Sequence, residues 1–286
     1  MIDCDLVDVS GPDAATYLHG QLSQDIESMD VGTSAVSFLL SPSGHIDAWL
    51  RVHRVGDSVF TLEVESGHGR ETADRLAKFL LRPAAVVAAP RSARVLRWRG
   101  DPSVKVPFDA DPAVVMTAGV DWAGFSGVDF VGPDDVIHDL GTGLGVVPPD
   151  SSSPSRVESA RIRAGVPRFG IDIDPGSVPA TAGSAVIAAS VSFTKGCYTG
   201  QELVARMNSR GGQAPVVVRR LSAESSLSRG AQLEFAGEVV GVVTSAAGMW
   251  ALAAVKRKVS PGDVVVVDGT SARIDSLPGE PISGPA

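Results

Sequence analysis

The sequence predicts an α+β protein, and two features of its patterning carry that expectation. Up to about residue 90, alternating strand-like runs joined by tight turns are interrupted by stretches with helical period. After Arg210 the texture changes to short β-rich segments separated by turn residues, the pattern of a small antiparallel barrel or sandwich. Hairpin connections make a mostly antiparallel plan, which favours α+β over a doubly wound parallel sheet.

The first strand is read in "DLVDVS". Ser10, Gly11, Pro12 and Asp13 then mark a helix start with proline near its first turn, and Ala14, Tyr17, Leu18 and Leu22 supply its buried face. "SAVSFLL" and "HIDAWLRVHRV" are strands joined by the turn "SPSG", and "SVFTLEV" is a third. "GRETADRLAKFLL" has the 3.6-residue period of an amphipathic helix. Between residues 95 and 140 short strands are placed at "VVMTAGV" and "VDFVG". "PPDSSSPS" (Pro148 to Ser155) is a linker by composition, and Ser155 with Glu158 forms a capping box for a helix "RVESARIRAG" that ends at Gly165 before Pro167. A boundary near Gly211 to Ala214 separates residues 1–212, divisible at about residue 90 into 1–90 and 91–212, from a barrel domain at 213–278; residues 279–286 are a poorly ordered tail.

At 286 residues, 44% hydrophobic and 20% charged, the chain has material for two ordinary globular domains. A net charge of −8 argues against a protein that coats nucleic acid, because such proteins need a basic footprint. The local basic clusters at Arg91 to Arg99 and Lys256 to Lys258 read as solvated strand or turn faces, or as transient RNA contacts. No apolar run of about 18 residues indicates a membrane span, and the acidic N-terminus lacks the features of a secretory signal, so a cytoplasmic protein is expected. Cys4 and Cys197 are the two cysteines, far apart and outside any C-x-x-C pair.

Chemistry concentrates in "FTKGCYTGQE", Phe193 to Glu202. Thr199 and Glu202 have capping-box spacing, so a helix is expected to start at about Thr199, after a strand ending at "VSF" (Val191 to Phe193). Cys197 then lies at the positive end of that helix beside Lys195, where a thiolate is favoured. It reads either as a reactive or metal-ligating thiol or as a small buried residue at a tight turn. No histidine stands near it in sequence to act as a base. Asp47 and Trp49 share one strand face, which either grips a flat nitrogen-rich ligand or is ordinary half-exposed surface. Arg206 pairs with Glu202 at i,i+4 or, with Arg210, binds a polyanionic tail.

"KGCYTGQELVAR" (Lys195 to Arg206) resembles the signature of the YgfZ family of folate-binding proteins, relatives of the glycine-cleavage T-protein, an aminomethyltransferase. "VSGPDAATYLHGQLSQDI", "SPSGHIDAWLRV" and "RIRAGVPRFGIDI" resemble further family segments, so the likeness covers most of the chain. It implies a GcvT-like fold of antiparallel sheet and helix subdomains with a C-terminal β-barrel, and tetrahydrofolate or a derivative as the bound cofactor. By this resemblance Cys197 is the signature thiol and Asp47 the acid beside the reacting folate. Trp49, Asp172, Lys195, Tyr198, Gln201 and Arg206 complete the expected cofactor-binding set. Asp172 stands where the T-protein has a longer glutamate, and Ala180 follows Pro179 where many relatives carry a polar residue.

The resemblance further implies support of iron–sulfur cluster assembly or repair, and through it of tRNA modification, without a catalytic step of the ordinary kind. Iron–sulfur scaffold or client proteins are the expected partners, with neither a stable nucleic-acid complex nor a membrane. One thiol cannot hold a cluster alone, so Cys197 would be a ligand only to a transient cluster shared with a partner. The alternatives are an aminomethyltransferase passing a one-carbon unit to tetrahydrofolate, and a folate-independent interaction module.

Overall fold

The computed structural model describes residues 1–99, 114–122, 124–145, 156–209 and 214–277. The linker 148–155, all but the last residue of the boundary at Gly211 to Ala214, and the tail 279–286 fall wholly or mostly outside these residues. Two compact units are formed: Met1–Asp121, Ser126–Pro148 and Ala189–Gln201 make the first, and Trp122–Phe125, Pro149–Ala188 and Glu202–Ala286 the second.

The first unit contains β1 (Ile2–Ser10), α1 (Ala14–Gln21), β2 (Ser34–Leu40), β3 (Ile46–Gly56), β4 (Val59–Glu65), α2 (Gly69–Phe79), β5 (Val86–Val87), β6 (Arg91–Trp98), β7 (Met116–Val120), β8 (Gly127–Gly132) and α3 (Asp134–Gly143). Its strands form one sheet in the order β2-β3-β4-β1-β6-β8-β7, with β5 also paired to β1. Every pair is antiparallel. β6 bonds directly to β1, so the sheet continues across residue 90. Leu6, Val7 and Val9 of β1 are fully buried, as a strand covered on both faces requires. In β3 the expected alternation appears: Ile46, Ala48, Leu50 and Val52 are buried, whereas Asp47, Trp49 and Arg51 remain partly exposed. α2 turns Thr72, Ala73 and Leu76 inward, and the buried Tyr17 hydroxyl of α1 donates to the Leu76 carbonyl at 2.5 Å.

The expected helix start at Ser10 to Asp13 is displaced. Ser10 ends β1, Pro12 precedes the helix, and Asp13 caps it by position without a side-chain bond to it. The Asp13 carboxylate instead accepts from the Ala84 N–H at 2.7 Å. Gly11, at φ 127°, lies where a Cβ would come within 2.4 Å of the Ala84 carbonyl oxygen. This stretch therefore pins a distant loop as well as opening α1.

The partly polar face of the sheet holds a charge network. Arg51 bridges Glu63 at 3.1 Å and Asp129 at 2.8 Å, Arg99 reaches Asp129 at 2.7 Å, and His53 meets Glu63 at 3.0 Å. Burial pushes the Glu63 carboxyl up, but the charge of Arg51, the hydrogen bond from His53 and the charge of Arg97 outweigh it and leave it at about 2. With the folded value below the ordinary 4.5, this group's stabilisation is present above pH 4.5 and is lost as pH falls towards 2. Urea titrations between pH 6 and pH 2.5 are expected to show an acid loss up to about 3 kcal/mol larger for the wild type than for Glu63→Gln.

The second unit contributes α4 (Arg156–Ala164), a 3-10 turn (Pro179–Ala182), most of α5 (Ser184–Ser190) and α6 (Gln201–Ser209), and strands β9 (Val216–Ala223), β10 (Gln232–Phe235), β11 (Glu238–Ala247), β12 (Trp250–Lys256), β13 (Val264–Val267) and β14 (Thr270–Asp275). These strands close into a barrel in the order β10-β11-β12-β9-β14-β13. Leu221, Leu233, Val240, Val265 and Ile274 fill it. Two of its hairpins turn on two residues with positive φ, Ala236-Gly237 (52° and 80°) and Asp268-Gly269 (47° and 79°), the geometry that matches strand twist. Gly165, at φ 73°, ends α4 as expected. Ser155 lies outside the described residues, and Glu158 is engaged with Arg161 through both oxygens, at 2.6 and 2.9 Å.

Candidate functional site

The segment Ala189–Gln201 belongs to the first unit, and its fixed geometry comes from contacts distant in sequence. Residues 191–193 are not a strand: the Ser192 N–H donates to the Ser23 carbonyl at 3.0 Å, and Phe193 is exposed. Lys195 folds back onto the end of α1, donating to the carbonyls of Leu22 at 2.7 Å, Gln24 at 2.8 Å and His19. This is the favourable position for a cation, at the negative end of a helix. Burial lowers the ammonium to about 8, against the opposing charges of Asp25 and Glu27. The three hydrogen bonds of Lys195 anchor the loop. Replacing it with methionine would leave three carbonyls short of a donor, a loss of about 2 kcal/mol, readable as faster amide exchange across residues 189–201.

The helix after the loop starts at Gln201 rather than Thr199. The Thr199 N–H is taken by the Gly20 carbonyl at 3.0 Å, and Gly200 has φ 81°, outside helical space. Gln201 returns its side-chain oxygen to the Tyr198 N–H at 3.2 Å, so the reciprocal cap is made by Gln201. A Cβ on Gly200 would lie 2.5 Å from the Ser41 carbonyl oxygen and 2.8 Å from Leu40 Cβ, so the loop packs backbone to backbone on the β2–β3 turn. Tyr198 is buried, with the Lys195 ammonium 5.1 Å from its ring centre, and burial pushes its hydroxyl up to about 12. Amid these fixed neighbours Cys197 is exposed, whereas Cys4 is buried in β1. The second reading of Cys197, a buried packing residue, is therefore excluded.

On the same unit, the Trp49 indole N–H donates to Ser190 Oγ at 2.9 Å, and the Ser190 carbonyl accepts from the Ser23 hydroxyl at 2.6 Å. The segment's start is thereby tied to β3. Asp47, 31% exposed, accepts from Arg75 Nε at 2.9 Å, and Arg75 also donates to Leu40 O and Gln21. One Asp47 oxygen is thus held while the other can accept from an incoming donor, which suits a flat, nitrogen-rich ring. Neither Arg75 nor Ser190 carries a local motif; only long-range contact reveals them.

Asp172 and Arg206 belong to the second unit. Asp172 is no open ligand contact. Its carboxylate is fully buried and accepts from Arg161 at 2.8 Å, the Arg168 N–H at 2.9 Å, Thr244 at 2.6 Å and Ser245 at 2.7 Å. A register shift in β11 between Val243 and Ser245 brings both consecutive hydroxyls to one carboxylate. Arg206 sits in the last turn of α6. Ala180 is buried against Ala214 and Val217, where its methyl group packs. Among the described residues no group of three His, Cys, Asp or Glu side chains is placed to hold a metal ion, and no helix is long and apolar enough to cross a membrane.

The antiparallel sheet unit and closed six-strand barrel define a GcvT-like α+β protein. The glycine cleavage system aminomethyltransferase T of Bartonella henselae superposes with a TM-score of 0.77 over 96% of this chain and 83% of its own, at 20% identity. In sequence the chain is similar to proteins named YgfZ and to an IBA57 homolog. It is 26% identical over 224 residues to the tRNA-modifying protein YgfZ of Photorhabdus laumondii (73% of this chain, 66% of the relative). It is 24% identical over 230 residues to the mitochondrial iron-sulfur cluster assembly factor IBA57 homolog of Neurospora crassa (72% and 49%). An uncharacterized protein of Haemophilus influenzae is 25% identical over 250 residues (85% and 82%). The chain thus spans just under two thirds of that YgfZ protein and about half of the IBA57 homolog. No family model matches it.

Proposed function

We propose that this protein is a tetrahydrofolate-binding accessory factor in iron–sulfur cluster assembly or repair, indirectly supporting tRNA modification, with Cys197 as its working thiol. The observation that carries the reading is an exposed cysteine in a loop whose neighbours Lys195, Thr199 and Gly200 are tied to the unit's core. Relatives named for tRNA modification and for iron–sulfur assembly support it. A lone thiol meets only part of a cluster's ligand demand, so the cluster is cargo held jointly with a scaffold or client protein.

In this reading Asp47 and Trp49 hold the pterin, the carboxylate accepting ring N–H groups and the indole supplying an apolar surface. Lys195, Tyr198 and Gln201 position the thiol. Tetrahydrofolate supplies a one-carbon carrier when bound. Asp172, with its carboxylate committed to protein donors, holds its own unit together.

Cys197→Ser in a deletion strain is expected to fail to restore iron–sulfur enzyme activity while the purified variant retains wild-type stability. Full rescue would remove the thiol from the function. Tetrahydrofolate is expected to quench tryptophan fluorescence in the wild type and much less in Trp49→Phe; no response at millimolar ligand would end the folate reading. Turnover with an aminomethyl-lipoyl carrier protein would favour the transferase alternative.

A further inference from the structure

A second constellation lies at the far end of β3 and has no part in the thiol loop. Pairing of β2 with β3 sets Ser34 opposite His53, and pairing of β3 with β4 sets Arg51 opposite Glu63. Ser34 Oγ lies 2.8 Å from His53 Nδ1, and His53 Nε2 lies 3.0 Å from Glu63 Oε2. Arg51 holds that same carboxylate oxygen at 3.1 Å. An ionised carboxylate can only accept, so Nε2 carries a proton towards Glu63, and in the neutral imidazole Nδ1 presents its lone pair to the Ser34 hydroxyl. The Thr117 carbonyl, at 3.4 Å, is a longer alternative acceptor for that hydroxyl. The imidazole is 2% exposed and held at both nitrogens, while Ser34 is only half-buried.

A hydroxyl bonded to a base that a third group orients is the arrangement of an activated nucleophile. The ring is turned with Nδ1 towards the hydroxyl and Nε2 towards the acid, the reverse of the usual serine-hydrolase order; conjugation lets either nitrogen take the proton. Ser34 and His53 both line a cavity of about 170 Å³ whose other walls include Val31, Val55, Met116 and Phe130. That volume is below the range for drug-sized ligands and has an apolar wall suited to a short acyl chain.

We propose that Ser34 is a nucleophile for short-chain carboxylic esters, with His53 as its base and Glu63 as a positioning residue. Ser34 Oγ bonds to the carbonyl carbon as its proton passes to His53 Nδ1. The ester C–O bond breaks, and the leaving alkoxide takes that proton and departs as the alcohol. Water then attacks the acyl-serine, gives a proton to His53, and releases the carboxylic acid as Ser34 regains its hydrogen. The sum is ester plus water to acid plus alcohol.

The test is a small alkyl fluorophosphonate with the folded full-length protein, the adduct being located by peptide mass spectrometry. One adduct on Ser34 is expected, absent in urea-unfolded protein and formed at least about 100-fold more slowly in His53→Gln. Hydrolysis of p-nitrophenyl acetate is expected in the wild type and lost in Ser34→Ala, a half-buried position at a strand end that keeps the readout if the buried histidine variant does not fold. Failure of Ser34 to label, equal labelling in urea, or esterase activity unchanged in Ser34→Ala would each overturn the proposal.

Discussion

Arg161→Met is expected to lower the unfolding free energy by roughly 3–5 kcal/mol, because it strips the partner from a carboxylate that has no access to water. Arg161 is 1% exposed and donates to Glu158, Asp172, Ser245 and the Val166 carbonyl. Asp172 keeps two hydroxyls and the Arg168 N–H but loses its counter-charge. The double change Arg161→Met with Asp172→Leu is expected to recover part of the loss, since an apolar pair does not carry the desolvation cost of an unpaired charge. Urea unfolding followed through Trp250, which packs under the guanidinium groups of Arg163 and Arg220, reads this unit directly. A loss below about 1 kcal/mol would mean that the network is not the unit's main polar support.

Gly200→Ala is expected to cost about 2–5 kcal/mol, the sum of a left-handed backbone and an overlap with main-chain atoms that cannot move aside. Gly196→Ala is the control, because a Cβ there meets no atom within 4 Å. It is expected to stay within about 1 kcal/mol of the wild type. If the thiol works only when its loop is docked on the β2–β3 turn, Gly200→Ala also fails to restore iron–sulfur enzyme activity and Gly196→Ala succeeds. Equal behaviour of the two variants in thermal melts and in rescue would show that docking is immaterial.

The positions of elements were legible wherever side-chain period was the cause. The β2–β3 hairpin, the amphipathic α2 and the barrel strands all stand where alternation, helical spacing and turn residues place them, because those signals are local. The site was legible in part. "KGCYTGQE" was recognisable as a place where chemistry gathers, and Asp47 with Trp49 as a shared face, but the tasks of neighbouring residues were misassigned. Glu202 and Thr199 had the spacing of a helix cap, yet the Gly20 carbonyl competes for the Thr199 N–H and Gln201 makes the cap instead. Asp172 looked available until Arg161, Thr244 and Ser245 were seen to enclose it.

By itself, then, the sequence determined the α+β class, the main strands and helices of the first 80 residues, the short β segments of the C-terminal part and the lone thiol between lysine and glycine. Tertiary structure alone decided which groups meet. Lys195 bonds to carbonyls more than 170 residues earlier, and Ser34, His53 and Glu63 converge only through the register of three strands. Periodicity records which face a residue occupies, because burial of that face is a local matter of pleat and turn. It holds no record of the partner across the fold, since that depends on where the rest of the chain brings its donors and acceptors.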